Sequence, residues 1–206
     1  MLRIKIEDWY DIHNGYTLSL QPGVTALVGP NGAGKTTLLT QLRDYAADTA
    51  RRNRFKVLNY SNMTDGGDVA MQSYLSCGDM TQLATAMVSS EGERIIVNLS
   101  RFIPKIRPAI EVAEQEGKIL IILIDAIDSG MSIDKLRDVA ELLDMIAKDI
   151  EGKNIYLVIS TNNYELAKGR CLNPRTGKYV SFGSYEEYAN FICGFKKMFA
   201  KGDEKE

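Results

Sequence analysis

Residues 29–37 read GPNGAGKTT and match the pattern G-x-x-x-x-G-K-[ST], which binds nucleotide phosphates. This loop requires a buried strand before it and a helix after it. The sequence predicts both: Val24–Val28 is apolar apart from Thr25, and the following segment has inward-facing positions at helical spacing, namely Leu38, Leu39 and Leu42. Glycines permit the backbone to turn N–H groups toward a phosphate, and the helix N-terminus adds positive charge. A tight glycine turn without a ligand is the alternative, and the flanking strand and helix favour phosphate binding.

The loop also predicts its ligand. Lys35 is expected to contact the β and γ phosphates, and the Thr36 hydroxyl is expected to ligate Mg²⁺, so ATP with magnesium is the predicted cofactor. The other positions expected to surround the phosphates are Asn31, Gly32, Ala33, Gly34 and Thr37. The pattern does not specify the reaction, since kinases, GTPases and motors share it.

Hydrophobic patterning along the chain predicts an α/β fold. Alternating apolar residues at 2–6 and 16–20 predict an antiparallel opening, whereas unbroken apolar runs at 119–124 and 155–159 predict central parallel strands. Segments of helical period separate them, and Pro104 is expected to break or kink one of these helices. We therefore expect a mainly parallel sheet flanked by helices, with an N-terminal antiparallel β lobe and a small helical lobe.

Composition narrows the class of protein. The chain has 206 residues, 45% of them hydrophobic, with a formal net charge of −2, so a single soluble domain without a large nucleic-acid footprint is expected. Three scattered cysteines and one histidine argue against a zinc site or a disulfide framework, and a reducing cytoplasm is the expected location. The longest apolar run, residues 119–124, is far below the ~20 residues of a membrane span, so no membrane association is expected.

Asp125 is the candidate for the Walker B aspartate, which is the second motif of a phosphate-loop site. It follows the apolar run 119–124, and a carboxylate at the carboxyl end of a central strand is where such folds hold Mg²⁺ opposite the loop hydroxyl. An acidic turn after a core strand is the alternative. We therefore predict Thr36 and Asp125 as metal ligands.

Several motifs in order resemble those of the ABC-type ATPase superfamily, over residues 1 to about 166. Besides the phosphate loop, they are SSEGE at 89–93, which looks like the signature, IDAIDSGMS at 124–132, which looks like Walker B and the D-loop, and VISTNN at 158–163, at the switch strand. In detail the chain looks closer to small phage-encoded relatives of the recombination and repair branch than to transporter subunits. The resemblance implies one ABC-type domain over 1–206, with a signature lobe at about 60–110. Residues 200–206 are expected to form a disordered tail.

The resemblance also implies an ATP-dependent homodimer. In this superfamily the signature serine and glycine, here Ser90 and Gly92, contact the γ phosphate bound by the other subunit. The alternative for Ser90 is a plain helix cap.

Two departures from the family pattern affect hydrolysis. Ala126 stands where active members have the glutamate that polarises water, and Asn162 replaces the switch histidine. Asp128 is a candidate substitute for the missing carboxylate. Loss of a general base costs about 10²- to 10⁴-fold in rate, so we expect a slow ATPase that still binds ATP. The predicted catalytic set is Lys35, Asp125, Asp128 and Asn162.

Other assignments keep alternatives. The magnesium-sensing glutamine is Gln72 or is replaced by Asn62. The adenine is expected to stack on Trp9 or Tyr10, and the alternative is that these aromatic residues only pack in the core. A nuclease or another DNA-processing factor is a candidate protein partner, and direct DNA contact stays open. A transporter's nucleotide-binding subunit is the competing function, and a small P-loop kinase is a weaker one because no arginine-bearing lid is evident.

Overall fold

The fold is seen in a computed structural model that describes residues 1–8, 15–48, 51, 53–61 and 91–200. Its strands are β1 (Leu2–Ile6), β2 (Tyr16–Leu20), β3 (Gly23–Val28), β4 (Phe55–Ser61), β5 (Ile119–Asp125), β6 (Ile155–Thr161), β7 (Cys171–Leu172) and β8 (Tyr179–Val180). Its helices are α1 (Lys35–Ala47), α2 (Glu91–Phe102), α3 (Ile106–Gln115), α4 (Ile133–Asp149) and α5 (Tyr185–Ala200). Two short 3₁₀ turns lie at Ile103–Lys105 and Tyr164–Leu166.

The strands form two sheets. β1 and β2 pair antiparallel, and the other six follow the order β4-β5-β6-β3-β7-β8. All pairings in the larger sheet are parallel except that of β7 with β8. The predicted α/β class, with its mainly parallel sheet and antiparallel opening, is therefore confirmed.

Alternate residues of the central strands face opposite layers. On β5, Leu120, Ile122 and Ile124 join the core beneath α2, α3 and α4, while Ile119, Ile121 and Leu123 join the core beneath α1 and the β1–β2 sheet. All seven residues of β5 and of β6 are buried. Burial on both faces explains why these strands read as unbroken apolar runs.

Local sequence signals place two helix boundaries. α1 begins at Lys35 and buries Leu38, Leu39 and Leu42, as its spacing predicts. α2 ends at Phe102, and Pro104 lies in the 3₁₀ turn that leads into α3, because proline lacks the N–H that a continuous helix needs. The predicted signature lobe at 60–110 and the tail at 200–206 fall largely outside the described residues.

Candidate functional site

The carboxyl ends of three adjacent parallel strands form one edge of the large sheet. The phosphate loop follows β3, Asp125 ends β5, and Ser160 and Thr161 end β6, which lies between the other two. Val28 at the end of β3 pairs with Thr161. Open α/β sheets bind their ligands at this edge.

The phosphate loop needs glycine at two positions that shape it. Gly34 is the N-cap of α1 and has a φ of 88°, in the left-handed region that favours glycine, and because glycine has no side chain nothing caps the first turn from this position. At Gly29 a Cβ would lie 2.8 Å from the Cβ of Ala33, closer than such atoms pack. Ala33 is itself buried under the loop, and its N–H donates to the carbonyl of Pro30. The N-terminus of α1 therefore has no capping side chain to compete with an anion for its backbone N–H groups.

Lys35 is held by three oxygen atoms at the centre of the site. Its Nζ donates to the carbonyls of Gly29 at 2.6 Å and Pro30 at 3.0 Å, and to Oδ1 of Asn162 at 2.6 Å. The side chain is buried, which lowers the pKa of Lys35, while the charges of Asp128 and Asp125 oppose that shift. An ammonium has three donors, so a phosphate oxygen that binds Lys35 has to displace one of these acceptors.

Asp125 is buried and fixed by the neighbouring strand. The Ser160 hydroxyl donates to Oδ1 of Asp125 at 2.5 Å and accepts from the N–H of Ala126 at 2.7 Å. Ala126 has a φ of 53°, a left-handed conformation that costs a non-glycine residue roughly 1–2 kcal/mol. Among the described residues, none donates a hydrogen bond to the second oxygen of Asp125. A carboxylate oxygen and the Thr36 hydroxyl are hard oxygen ligands of the kind that Mg²⁺ prefers, so these residues fit the predicted ion.

A hydrogen-bond network connects Asp128 to the phosphate loop. Oδ2 of Asp128 accepts from the Thr161 hydroxyl at 2.9 Å and from the N–H of Asn162 at 2.7 Å. The Asn162 side chain then bridges the loop, since its Nδ2 donates to Asn31 at 3.0 Å and its Oδ1 accepts from Lys35. The segments after β3, β5 and β6 are thus joined by side-chain contacts.

One cavity of about 300 Å³ collects these groups. It is lined by Asn31, Gly32, Gly34, Lys35, Thr36, Thr37, Asp125, Ala126, Asp128, Ser160, Thr161 and Asn162. A larger cavity of about 890 Å³ lies near the amino ends of β3 and β6 and includes Arg137 and Arg170, but no residue of the phosphate loop lines it, and neither do Asp125, Asp128 and Asn162. The smaller cavity is therefore the candidate site because of the residues that line it, although it is not the larger of the two cavities.

Comparison with known proteins identifies the family. The family model described as ATPase family associated with various cellular activities (AAA) matches residues 25–182 of the sequence. This range includes the phosphate loop and the ends of β3, β5 and β6 at the cavity. The chain belongs to the AAA family.

The chain was also compared with solved structures and with curated proteins. The structure is similar to one described as an inward-facing metal-chelate type ABC transporter, with a TM-score of 0.49 and 18% identity over 93% of this AAA chain and 87% of that chain. No curated protein matches the chain in sequence. Within the described residues, every helix is too short or too polar to cross a membrane.

The structure brings most of the predicted site residues of this AAA chain together. Nine of them line the cavity and Ala33 lies under it: Asn31, Gly32, Gly34, Lys35, Thr36, Thr37, Asp125, Asp128 and Asn162. Gly92 lies in the first turn of α2. The predictions for Trp9, Tyr10, Asn62, Gln72 and Ser90 fall outside the described residues.

Sequence reasoning missed Ser160 and Thr161. They hold the two carboxylates, and a signal for them existed: they end the parallel strand whose following residue, Asn162, was already a candidate. The missing information was the strand order, which puts β6 between β3 and β5.

Replacement of Lys35 by alanine is expected to abolish measurable nucleotide binding, because it removes the ammonium that the loop directs into the cavity. Isothermal calorimetry with Mg-ATP measures this. Arg43→Ala is the matched control, since Arg43 is an exposed cation on the same helix and should leave the affinity unchanged. Equal ATP affinity in a folded Lys35→Ala protein would place the nucleotide elsewhere.

Proposed function

We propose that this AAA-family chain is an ATP-gated dimerisation switch of ABC type, with slow hydrolysis of ATP to ADP and phosphate. The observation that carries the proposal is the convergence of Lys35, Asp125, Asp128 and Asn162 on one cavity that the N-terminus of α1 also lines. An ammonium, a helix end and an amide suit the negative charge of a triphosphate. Of the two carboxylates, Asp125 is suited to bind a metal ion and Asp128 to accept a proton.

Magnesium would bind at Thr36 and Asp125, where it would neutralise charge on the β and γ phosphate oxygens. Gln72 is the further proposed ligand. For the adenine we propose Trp9 or Tyr10.

Asp128 is the proposed proton acceptor in place of the glutamate that Ala126 replaces. One of its oxygens is held by Thr161 and Asn162, while no described residue donates a hydrogen bond to the other. In the proposed step a water attacks the γ phosphorus, the bond to the ADP oxygen breaks, and Asp128 accepts the proton of the water. Because Asp128 is two positions beyond Ala126 and held by β6, we expect it to act less efficiently than a glutamate at position 126.

Dimerisation is supported by the place of the signature segment. Gly92 lies in the first turn of α2, and residues 95–102, the part of this helix whose burial is described throughout, do not line the cavity. In the proposed dimer, Ser90 and Gly92 contact the γ phosphate bound by the second copy. Because the motifs resemble those of small phage-encoded relatives of the recombination and repair branch, a nuclease or another DNA-processing factor is the proposed partner that recognises the closed dimer.

Ala126→Glu is expected to raise the turnover of ATP by about tenfold or more, within the 10²- to 10⁴-fold scale of general-base catalysis. Ala126 lines the cavity, so a glutamate side chain would enter it. Single-turnover phosphate release measures the effect. Ala126→Gln is the control, because it adds the same bulk without a proton acceptor. A flat rate in the glutamate variant that still binds ATP would contradict the assignment of position 126.

Mg-ATP is expected to shift the protein from monomer toward dimer, and more strongly than Mg-ADP, because only ATP supplies the γ oxygens that the signature would contact. Ser90→Arg should block this shift by bulk while ATP binding survives. Analytical ultracentrifugation of each protein with each nucleotide measures the association state.

The control for that experiment is Ser100→Arg, since Ser100 is exposed on the same helix α2. It should dimerise like the wild type. A wild type that stays monomeric in saturating Mg-ATP, or a Ser90→Arg protein that dimerises normally, would remove the switch and leave an ATP-binding protein of another mechanism.

A further inference from the structure

The carboxyl end of β6 occupies one oxygen of Asp125 and leaves the other without a partner. The Ser160 hydroxyl donates to Oδ1 of Asp125 at 2.5 Å, whereas no described residue donates to Oδ2. Ser160 is 1% exposed and Asp125 is 5% exposed, so bulk water does not weaken this hydrogen bond. Both residues line the small cavity. Asp125 therefore has one unoccupied carboxylate oxygen with which to bind a cation.

Two features keep the Ser160 hydroxyl in this orientation. The N–H of Ala126 donates to Oγ of Ser160 at 2.7 Å, and a hydroxyl has only one proton, which goes to Asp125. Ser160 also lies in β6, which is paired in parallel with β3 on one side and with β5 on the other. The serine is thus held both through its side chain and through its backbone, and it cannot leave Asp125 without losing a partner.

Divalent cations differ in how they use a carboxylate. Mg²⁺ is small, requires octahedral geometry, and binds through one or two carboxylates together with water and phosphate oxygens. Ca²⁺ takes six to eight oxygen ligands and often uses both oxygens of one carboxylate. A cation that takes both oxygens of Asp125 must break the hydrogen bond from Ser160, and hydrogen bonds to charged groups are the strong ones. A cation that takes one oxygen breaks nothing.

We propose that Ser160 determines the cation specificity of the nucleotide site. Its hydroxyl restricts Asp125 to binding through one oxygen and so favours Mg²⁺ over Ca²⁺ as the ion that accompanies ATP. Ser160 acts through Asp125 and is therefore a positioning residue. It can act in this way only if the proposed function holds, since that function places the metal ion at Thr36 and Asp125.

Ser160→Ala tests this role without any measurement of turnover. Calorimetry gives the Kd of ATP in saturating Mg²⁺ and in saturating Ca²⁺, and the readout is the Kd with Ca²⁺ divided by the Kd with Mg²⁺. This ratio should fall about tenfold in the variant, because alanine frees Oδ1 for Ca²⁺ and no longer orients the carboxylate for Mg²⁺. Ser160→Cys, which keeps a side chain of similar shape and only a weak donor, should lower the ratio too. Ser160→Thr keeps the hydroxyl and should keep the ratio.

Thr25→Val is the matched control. Thr25 lies on the neighbouring strand β3, is also 1% exposed, and has a hydroxyl without a hydrogen-bond partner among the described residues. Its replacement removes a buried hydroxyl from the same sheet without touching Asp125, so the ratio should equal that of the wild type.

A double variant identifies the group through which Ser160 acts. In an Asp125→Ala background, Ser160→Ala should cause no further change in the ratio, because the carboxylate that the serine restricts is gone. A further fall there would overturn the proposal.

Three other results are decisive. A wild type that prefers Mg²⁺ and a Ser160→Ala protein with the same ratio would overturn the role of Ser160 while the proposed function stands. Equal weakening of both cation complexes would do the same, since it indicates a structural role. A wild type whose ATP affinity is the same with Mg²⁺, with Ca²⁺ and with a chelator would overturn the proposed metal site, and the role of Ser160 with it.

Discussion

The parallel pairing of β3, β6 and β5 is the constraint on which the site depends. Because the three strands are adjacent and run in one direction, the segments that leave them must meet at one edge of the sheet. The phosphate loop, Asp125 and the Ser160–Thr161 pair are separated by many residues in sequence and still share one cavity. The apolar burial of β5 and β6 on both faces keeps this register, since a shift by one residue would exchange the two core layers.

At this edge of the sheet, Asn162 joins three parts of the site: Lys35, Asn31 and Asp128. Its side chain accepts from Lys35 and donates to Asn31, and its backbone N–H donates to Asp128. A phosphate that displaced Asn162 from Lys35 would therefore change the contacts of the phosphate loop, of residues 161–163 and of Asp128. The closing helix α5 packs on the same region through Tyr188 and Phe195, so its position depends on the same contacts.

The sequence predicted the loop, the strand ends and most of the cavity because short-range rules determine them. A glycine pattern between an apolar strand and an amphipathic helix is legible without a structure, and so is a carboxylate after a fully apolar strand. Ser160 and Thr161 were not predicted, because their contacts with Asp125 and Asp128 depend on strand order, which no local pattern encodes. The left-handed backbone conformation of Ala126 could not be predicted either, because alanine favours the right-handed helix and its presence does not indicate a positive φ.

A crystal structure with Mg²⁺ and a non-hydrolysable ATP analogue tests the central claim most directly, because it observes the ligand and Lys35 together. The account predicts the triphosphate on the N-terminus of α1, with the ammonium of Lys35 on the β and γ phosphates and its 2.6 Å contact with Asn162 broken. An analogue bound elsewhere, with Lys35 still on Asn162 and the two loop carbonyls, would contradict the account.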